Sequence, residues 1–227
     1  MTEADQDAVK AKLLEAAVMH VPFDGWSEAS FQAAIRDADV AAPLARMACP
    51  RGAVDLALAY HAAGDRAMVA RLAAADLEGL RFRDKIAQAV RFRLEAVEDK
   101  ELVRRGTTLF SLPHHAGDGA RAIWGTCDAI WDALGDTSED VNWYSKRATL
   151  SGVYSATVLY WLGDDSMDHQ ATWEFLERRI DDVMLLEKVK AGVQKNPLLK
   201  PLLAGPNWLA SQIKKPGTRD DLPGTRG

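Results

Sequence analysis

Residues 118–134 read DGARAIWGTCDAIWDAL, and residues 135–147 continue GDTSEDVNWYSKR. In the first stretch Ile123, Cys127, Ile130 and Leu134 recur at i, i+4, i+7 and i+11, the spacing of one face of an α-helix. Trp124 and Trp131 sit beside that stripe. The second stretch opens with a Gly/Asp/Thr/Ser turn and sets Trp143, Tyr144 and Arg147 at the start of another apolar helical segment. Two adjacent aromatics followed by a cation, with no catalytic pair nearby, suit gripping a partner or an oily ligand better than bond chemistry.

The same rhythm extends in both directions. Toward the C-terminus, 149–162 carries Leu150, Val153, Tyr154, Thr157, Val158 and Trp161. Residues 163–168 form a turn, and 171–190 carries Trp173, Leu176, Ile180, Val183 and Met184. Toward the N-terminus, the spacing predicts one helix over 82–103, with Phe82, Ile86, Val90, Leu94 and Val97 as its stripe, and another over 68–80. Residues 106–112 read as a loop or short helix ended by Pro113. Before residue 65 the helices are short. One carries Val9, Leu13, Ala16, Ala17 and His20; one runs over 28–38 behind Ser27 as N-cap; one runs over 52–62, with Val54, Leu58 and His61 on one stripe. No period-2 strand of useful length and no internal repeat stand out. The expected fold class is all-α. Residues 1–65 form a helix-turn-helix-like unit, 66–190 a larger helical ligand-binding and dimerisation domain, and 191–227 an amphipathic segment with a polar tail.

Composition bounds the function. The chain has 227 residues, 48% hydrophobic and 27% charged, with a formal net charge of −5. That describes an ordinary globular protein with enough apolar mass for one generous core. Cys49 and Cys127 lie far apart in helical patterns, without a CxxC spacing, and read as buried, inert thiols in a reducing compartment. The polar, acidic start has no signal-peptide pattern, and no run of about 18 apolar residues exists. The expected location is cytoplasmic, peripheral on the inner face of a membrane.

Reactive constellations are scarce. Neighbouring His114 and His115 do not share a helical face and read as a solvated loop. Asp165, Asp168 and His169 lie in a Gly-Asp-Asp-Ser context, that of a turn and helix cap. A P-loop, a G-x-G-x-x-G fingerprint, a G-x-S-x-G elbow and a Glu-x-x-His pair are missing. The expectation is a protein that is not an enzyme, with no cofactor and no metal. An enzyme of unrecognised type would have to rely on His114, His115 or His169.

Charge separates the two ends. Residues 1–65 hold five cations against ten anions, where a nucleic-acid binder needs a positive surface for the phosphates. Nucleic acid is therefore not an expected partner. Residues 187–215 hold six lysines against Glu187. Here Leu198, Leu199, Leu202, Leu203, Trp208, Leu209 and Ile213, with Lys214 and Lys215, suit an anionic membrane surface. The prolines split them into two short amphipathic pieces, and docking on the protein's own core is the alternative. Between the ends, Trp124, Trp131, Tyr154, Trp161, Trp173 and Phe175 crowd into about fifty residues. Two readings stand: an aromatic core with a dimer interface, or a cavity for a long apolar ligand. In the cavity reading the lining is Phe82, Ile86, Val90, Trp124, Cys127, Leu150, Tyr154, Val158, Trp173 and Leu176.

Three blocks, 20–27 (HVPFDGWS), 135–148 (GDTSEDVNWYSKRA) and 172–180 (TWEFLERRI), resemble the ubiquinone (coenzyme Q) biosynthesis accessory family whose founding member is the ninth Coq protein. In order and spacing they cover roughly residues 9–190. The resemblance implies a dimeric fold like that of TetR-type regulators, with a helix-turn-helix relic and a ligand-holding domain. It implies binding of isoprenoid quinone intermediates or phospholipid, and assistance to the demethoxyubiquinone hydroxylase. A C-terminal amphipathic helix would meet the membrane, although Pro201 and Pro206 interrupt it here. The partner-facing patch of the family corresponds to Asp128, Trp131, Trp143, Tyr144 and Arg147. On that basis Trp143→Ala or Arg147→Glu is expected to weaken partner binding more than fold stability. A ligand-responsive TetR-type transcription regulator is the alternative.

Overall fold

The computed structural model describes residues 2–138 and 141–195, and among them every regular element is helical. Local signals set the boundaries. Helix α1 (Glu3–Ala17) starts in a capping box: the Thr2 hydroxyl accepts from the Asp5 N–H, and the Asp5 carboxylate accepts from the Thr2 N–H. The one-turn α2 (Val21–Asp24) has Pro22 in its first turn and stops at Gly25, whose φ of +68° favours glycine. Ser27 caps α3 (Glu28–Asp37), and α4 (Ala42–Ala48) follows, with Pro43 in its first turn. These short helices close on the start of α5 (Ala53–Ala74) around Leu13, Val21, Trp26, Phe31, Ala34 and Leu56.

The larger core is built by the rest of α5, α6 (Phe82–Glu95), α7 (Lys100–Ser111), α8 (Ala116–Ala133), α9 (Val141–Leu162) and α10 (Gln170–Lys195). Its centre holds Met68, Val90, Leu94, Cys127, Ile130, Leu150, Tyr154, Trp173 and Leu176. Trp26, between α2 and α3, ties α7 to the first core: its indole N–H donates to the Leu102 carbonyl at 3.0 Å, and Leu102 itself is buried in that core. The boundary expected at residue 65 falls inside α5, whose first half packs into one core and second half into the other.

Helix breaks differ from the sequence expectation in two places. The helix expected over 82–103 is two: α6 ends before Ala96, and the Asp99 carboxylate caps a new start by accepting from the Glu101 N–H at 2.8 Å. Gly106, expected in a loop or short helix, lies inside that second helix near Trp26. Conversely, the helices expected over 52–62 and 68–80 are one, running straight through Gly64 and Asp65. Gly64 is there for space: a Cβ would lie 2.5 Å from the Arg93 guanidinium carbon.

Gly64→Ala therefore tests this packing by its sign. In an unencumbered helix the change stabilises by about 1 kcal/mol. Here it is expected to lower the urea-unfolding free energy by about 1–3 kcal/mol, the usual cost of overpacking. A stabilised variant would show that Arg93 does not occupy this position.

Candidate functional site

A cavity of about 390 Å³ lies among α5, α6, α7, α8 and α9, with Trp26 at one wall. Val97, Val103, Phe110, Ile123 and Val158 make most of its lining apolar. One side is polar. Arg93, only 4% exposed, donates from Nε to Asp65 Oδ1 at 2.7 Å and from Nη2 to the His61 carbonyl at 3.1 Å. The Thr126 hydroxyl donates to the same Asp65 oxygen at 2.9 Å, and His61 Nε2 lies 2.8 Å from the Thr126 oxygen. Burial lowers the His61 pKa; Asp65 opposes this and Arg93 adds to it, so the ring is neutral near pH 7. Burial pushes the Tyr154 hydroxyl up to about 12 against the pull of Arg93, so it remains a protonated donor. The cavity thus joins an apolar lining to a hydrogen-bonding wall of no net charge.

The ten residues expected to line a lipid cavity do not share one. Tyr154 and Val158 line this cavity. Phe82, Ile86 and Leu150 line a separate one of about 710 Å³, under the start of α6 and between α9 and α10. Val90, Cys127, Trp173 and Leu176 are buried in the larger core. Trp124 packs against Trp143 and Tyr144, with ring centroids 5.9 and 6.3 Å away. The polar wall of the first cavity was missed by sequence reasoning, although a signal existed: His61 interrupts an apolar stripe and is followed by Asp65 one turn later.

The patch expected to face a partner is also divided. Trp143 and Tyr144 are half-buried, in edge contact at 4.8 Å, and with Trp124 form an aromatic cluster at the start of α9. Arg147 does not present its side chain: it is 1% exposed. Its Nε donates to Asp128, its Nη2 to Asp132 at 3.0 Å and its Nη1 to Asp136 at 3.0 Å. Its guanidinium carbon stands 4.1 Å from the Trp143 ring centroid. Arg147 is therefore a positioning residue that fixes the patch from beneath. Trp131, 7% exposed, lines the larger cavity and is not on this surface. Burial raises the Asp136 pKa, but hydrogen bonds from Lys146, Ser138 and Arg147 outweigh it and hold the carboxyl well below the usual range. Its contribution to stability is present above the unfolded pKa of about 3.9 and is lost as pH falls through the depressed folded value.

The remaining candidates are structural or lie elsewhere. Asp164 caps the start of α10, accepting from the Thr172 N–H at 2.9 Å and from the Thr172 hydroxyl. His169 packs edge-on against Trp161 and Trp173. The His114 and His115 rings lie 4.1 Å apart. Among the described residues no three His, Cys, Asp or Glu gather as a metal site needs. Burial pushes both cysteine thiols up to about 11. Arg51, a cation of the N-terminal unit just before α5, is held by Asp55 and Asp118. Among the described residues no helix is long and apolar enough to cross a membrane. The expected membrane-facing residues, Leu198 to Lys215, lie outside the described residues.

Arg147→Met separates positioning from contact. Removing the buried cation that bridges all three carboxylates is expected to cost about 3–5 kcal/mol by chemical denaturation. This reverses the expectation that changes at Arg147 spare the fold. A change below about 1 kcal/mol would return Arg147 to the surface.

The COQ9 family model matches residues 116–187, which span α8, α9 and the first two-thirds of α10. Over 190 residues the chain is 31% identical to the mitochondrial ubiquinone biosynthesis protein COQ9 of Drosophila melanogaster, covering 82% of this chain and 58% of that protein. Over 196 residues it is 26% identical to the probable mitochondrial coq9 of Dictyostelium discoideum, covering 82% and 63%. The chain therefore spans about three-fifths of the length of these relatives. A crystal structure of a TetR transcriptional regulator from Nitrosomonas europaea superposes with a TM-score of 0.63 at 17% identity, over 77% of this chain and 97% of that one. Its likeness concerns the fold alone. Residues 116–187 thus match the COQ9 family model, in an all-α chain of TetR-like fold that is similar to COQ9 proteins over four-fifths of its length.

Proposed function

We propose that the chain is a non-catalytic, lipid-holding accessory protein of ubiquinone biosynthesis. It takes an isoprenoid quinone intermediate from the membrane and presents it to the demethoxyubiquinone hydroxylase. The observation that carries this reading is the first cavity, apolar along most of its wall and hydrogen-bonding on one side. A prenyl tail in water loses about 25 cal/mol for every Å² of apolar surface left exposed, and an apolar lining removes that cost during transfer. The polar wall favours a quinone over a phospholipid head. Arg93 is already matched by Asp65 and His61 is neutral, so ring oxygens find donors without bringing in an unmatched charge.

The names of the COQ9 relatives support the pathway. The Trp124–Trp143–Tyr144 cluster supports a docking face for the hydroxylase, since aromatic anchors on a rigid base are what tight interfaces use. In this reading the chain works as a homodimer peripheral to the membrane. Leu159 on α9 and Leu185 on α10, 61% and 62% exposed, offer uncovered apolar area for the dimer. The lysine-flanked segment 198–215 supplies the membrane contact. A transcription regulator is the weaker reading, because the N-terminal unit is acidic and Arg51 is already paired.

Two variants test the two halves of the proposal. Ser155→Trp projects an indole into the cavity and is expected to abolish uptake of a prenylated quinone by the delipidated full chain, while hydroxylase binding persists. Trp143→Ala is expected to weaken hydroxylase binding about tenfold or more in a pull-down titration, with quinone uptake intact. Undiminished uptake by the Ser155→Trp chain removes the cavity from the account. Joint loss of both activities in the Trp143→Ala chain removes the separate docking face.

A further inference from the structure

The first cavity is open on one side. Among its lining residues Ser111, Ala116, Ala120 and Leu159 are exposed, so its mouth lies between the α7–α8 turn and α9. At about 390 Å³ it falls toward the small end of ligand pockets, which run from ~300 to ~1,000 Å³. A long prenyl chain bound there reaches the mouth, and any length left uncovered stays in contact with water.

The outer face of the helix that borders this mouth is uncharged. Residues 148–162 of α9 read ATLSGVYSATVLYWL. Leu150, Val153, Tyr154, Thr157 and Trp161 turn inward and are buried. Ala148, Gly152 and Leu159 face outward and are exposed, with Ala156 half-buried between them. A helix face that stays in water carries charged residues, whereas depletion of charge marks the centre of an interface. A Cβ built on Gly152 meets nothing within 4 Å, so packing inside the chain does not demand the glycine. Small residues at this position let a second helix approach closely.

The neighbouring helix indicates what covers this face. α10 packs on α9, with Phe175 stacked on Tyr160 at 4.5 Å, and exposes Glu174, Glu177, Arg178, Arg179, Asp181 and Asp182. Four carboxylates against two arginines oppose contact with an anionic bilayer. Mixed signs suit a two-fold contact, in which the arginines of each copy meet carboxylates of the other.

We propose that a second copy of the chain closes the first cavity, its α9 lying across Leu159 and the stripe Ala148–Gly152–Ala156, so that the quinone site is complete only in the dimer. This rests on the quinone reading of that cavity and adds how the ligand is retained: the copies must part before a long prenyl chain leaves.

Ala148 and Gly152 do not line the cavity, so Ala148→Arg and Gly152→Arg in the full chain put a cation into the contact and leave the lining intact. Each variant is expected to scatter light as a single chain, to keep its helical circular dichroism, and to release tetraprenyl ubiquinone about tenfold faster than the native dimer. In the native chain, release is expected to quicken on dilution through the concentration at which the dimer dissociates. A dimer that persists in both variants, monomeric variants that hold the quinone as long as the native chain, or native release indifferent to dilution each overturns the closure while the quinone reading stands. A native chain that is monomeric and retains the quinone only on phospholipid vesicles makes the bilayer the cover and likewise overturns it. A native chain that takes up no quinone at all overturns both.

Discussion

Arg93 sits almost wholly inside the bundle, and a guanidinium cannot shed its charge. Burying it is tolerable only with a matched anion and satisfied donors, and both come from one turn of α5: Asp65 and the His61 carbonyl. Thr126 on α8 completes the arrangement through its hydroxyl. Three helices are thereby held at distances set by hydrogen bonds rather than by how far apolar side chains would collapse. Gly64 follows from the same demand, since a side chain there would take the space of the guanidinium. The first cavity is the space this arrangement leaves beside it. It is a by-product of a charge that must be satisfied, which explains why an apolar lining meets one polar wall.

Arg147 repeats the device at the other face of α8. Asp128 and Asp132 on α8, and Asp136 just after it, converge on one cation, which in turn supports the Trp143 ring. The half-buried aromatics at the start of α9 thus rest on an ionic foundation. The proposed docking face would gain from that rigidity, because aromatic side chains left mobile lose entropy on binding. The COQ9 family match begins at α8 and so contains this whole unit.

Much of the fold was legible because apolar spacing is local. The stripe Ile123, Cys127, Ile130, Leu134 gave α8, and Ser27 marked the start of α3. What failed were places where a distant partner decides. The split before Lys100 depends on the cap made by Asp99, and the unbroken α5 depends on Arg93 filling the space over Gly64. The burial of Arg147, expected at the surface, has a sequence signal: Asp128, Asp132 and Asp136 recur every four residues, a carboxylate stripe in need of a cation. The ten residues expected in the cavity reading are divided between two cavities, the larger core and the Trp124 cluster. A bundle of this many helices has room for two, and only the three-dimensional arrangement sends Tyr154 to one and Leu150 to the other.

We propose that the space beside Arg93 is filled by a prenylated ring. Native mass spectrometry of the full chain, purified without detergent from cells that make ubiquinone, tests it most directly. The account predicts a bound species whose mass and fragmentation are those of an isoprenoid quinone or its immediate precursor, at close to one per chain. A chain that flies at its bare sequence mass, and takes up no prenylated quinone when one is supplied, would contradict it.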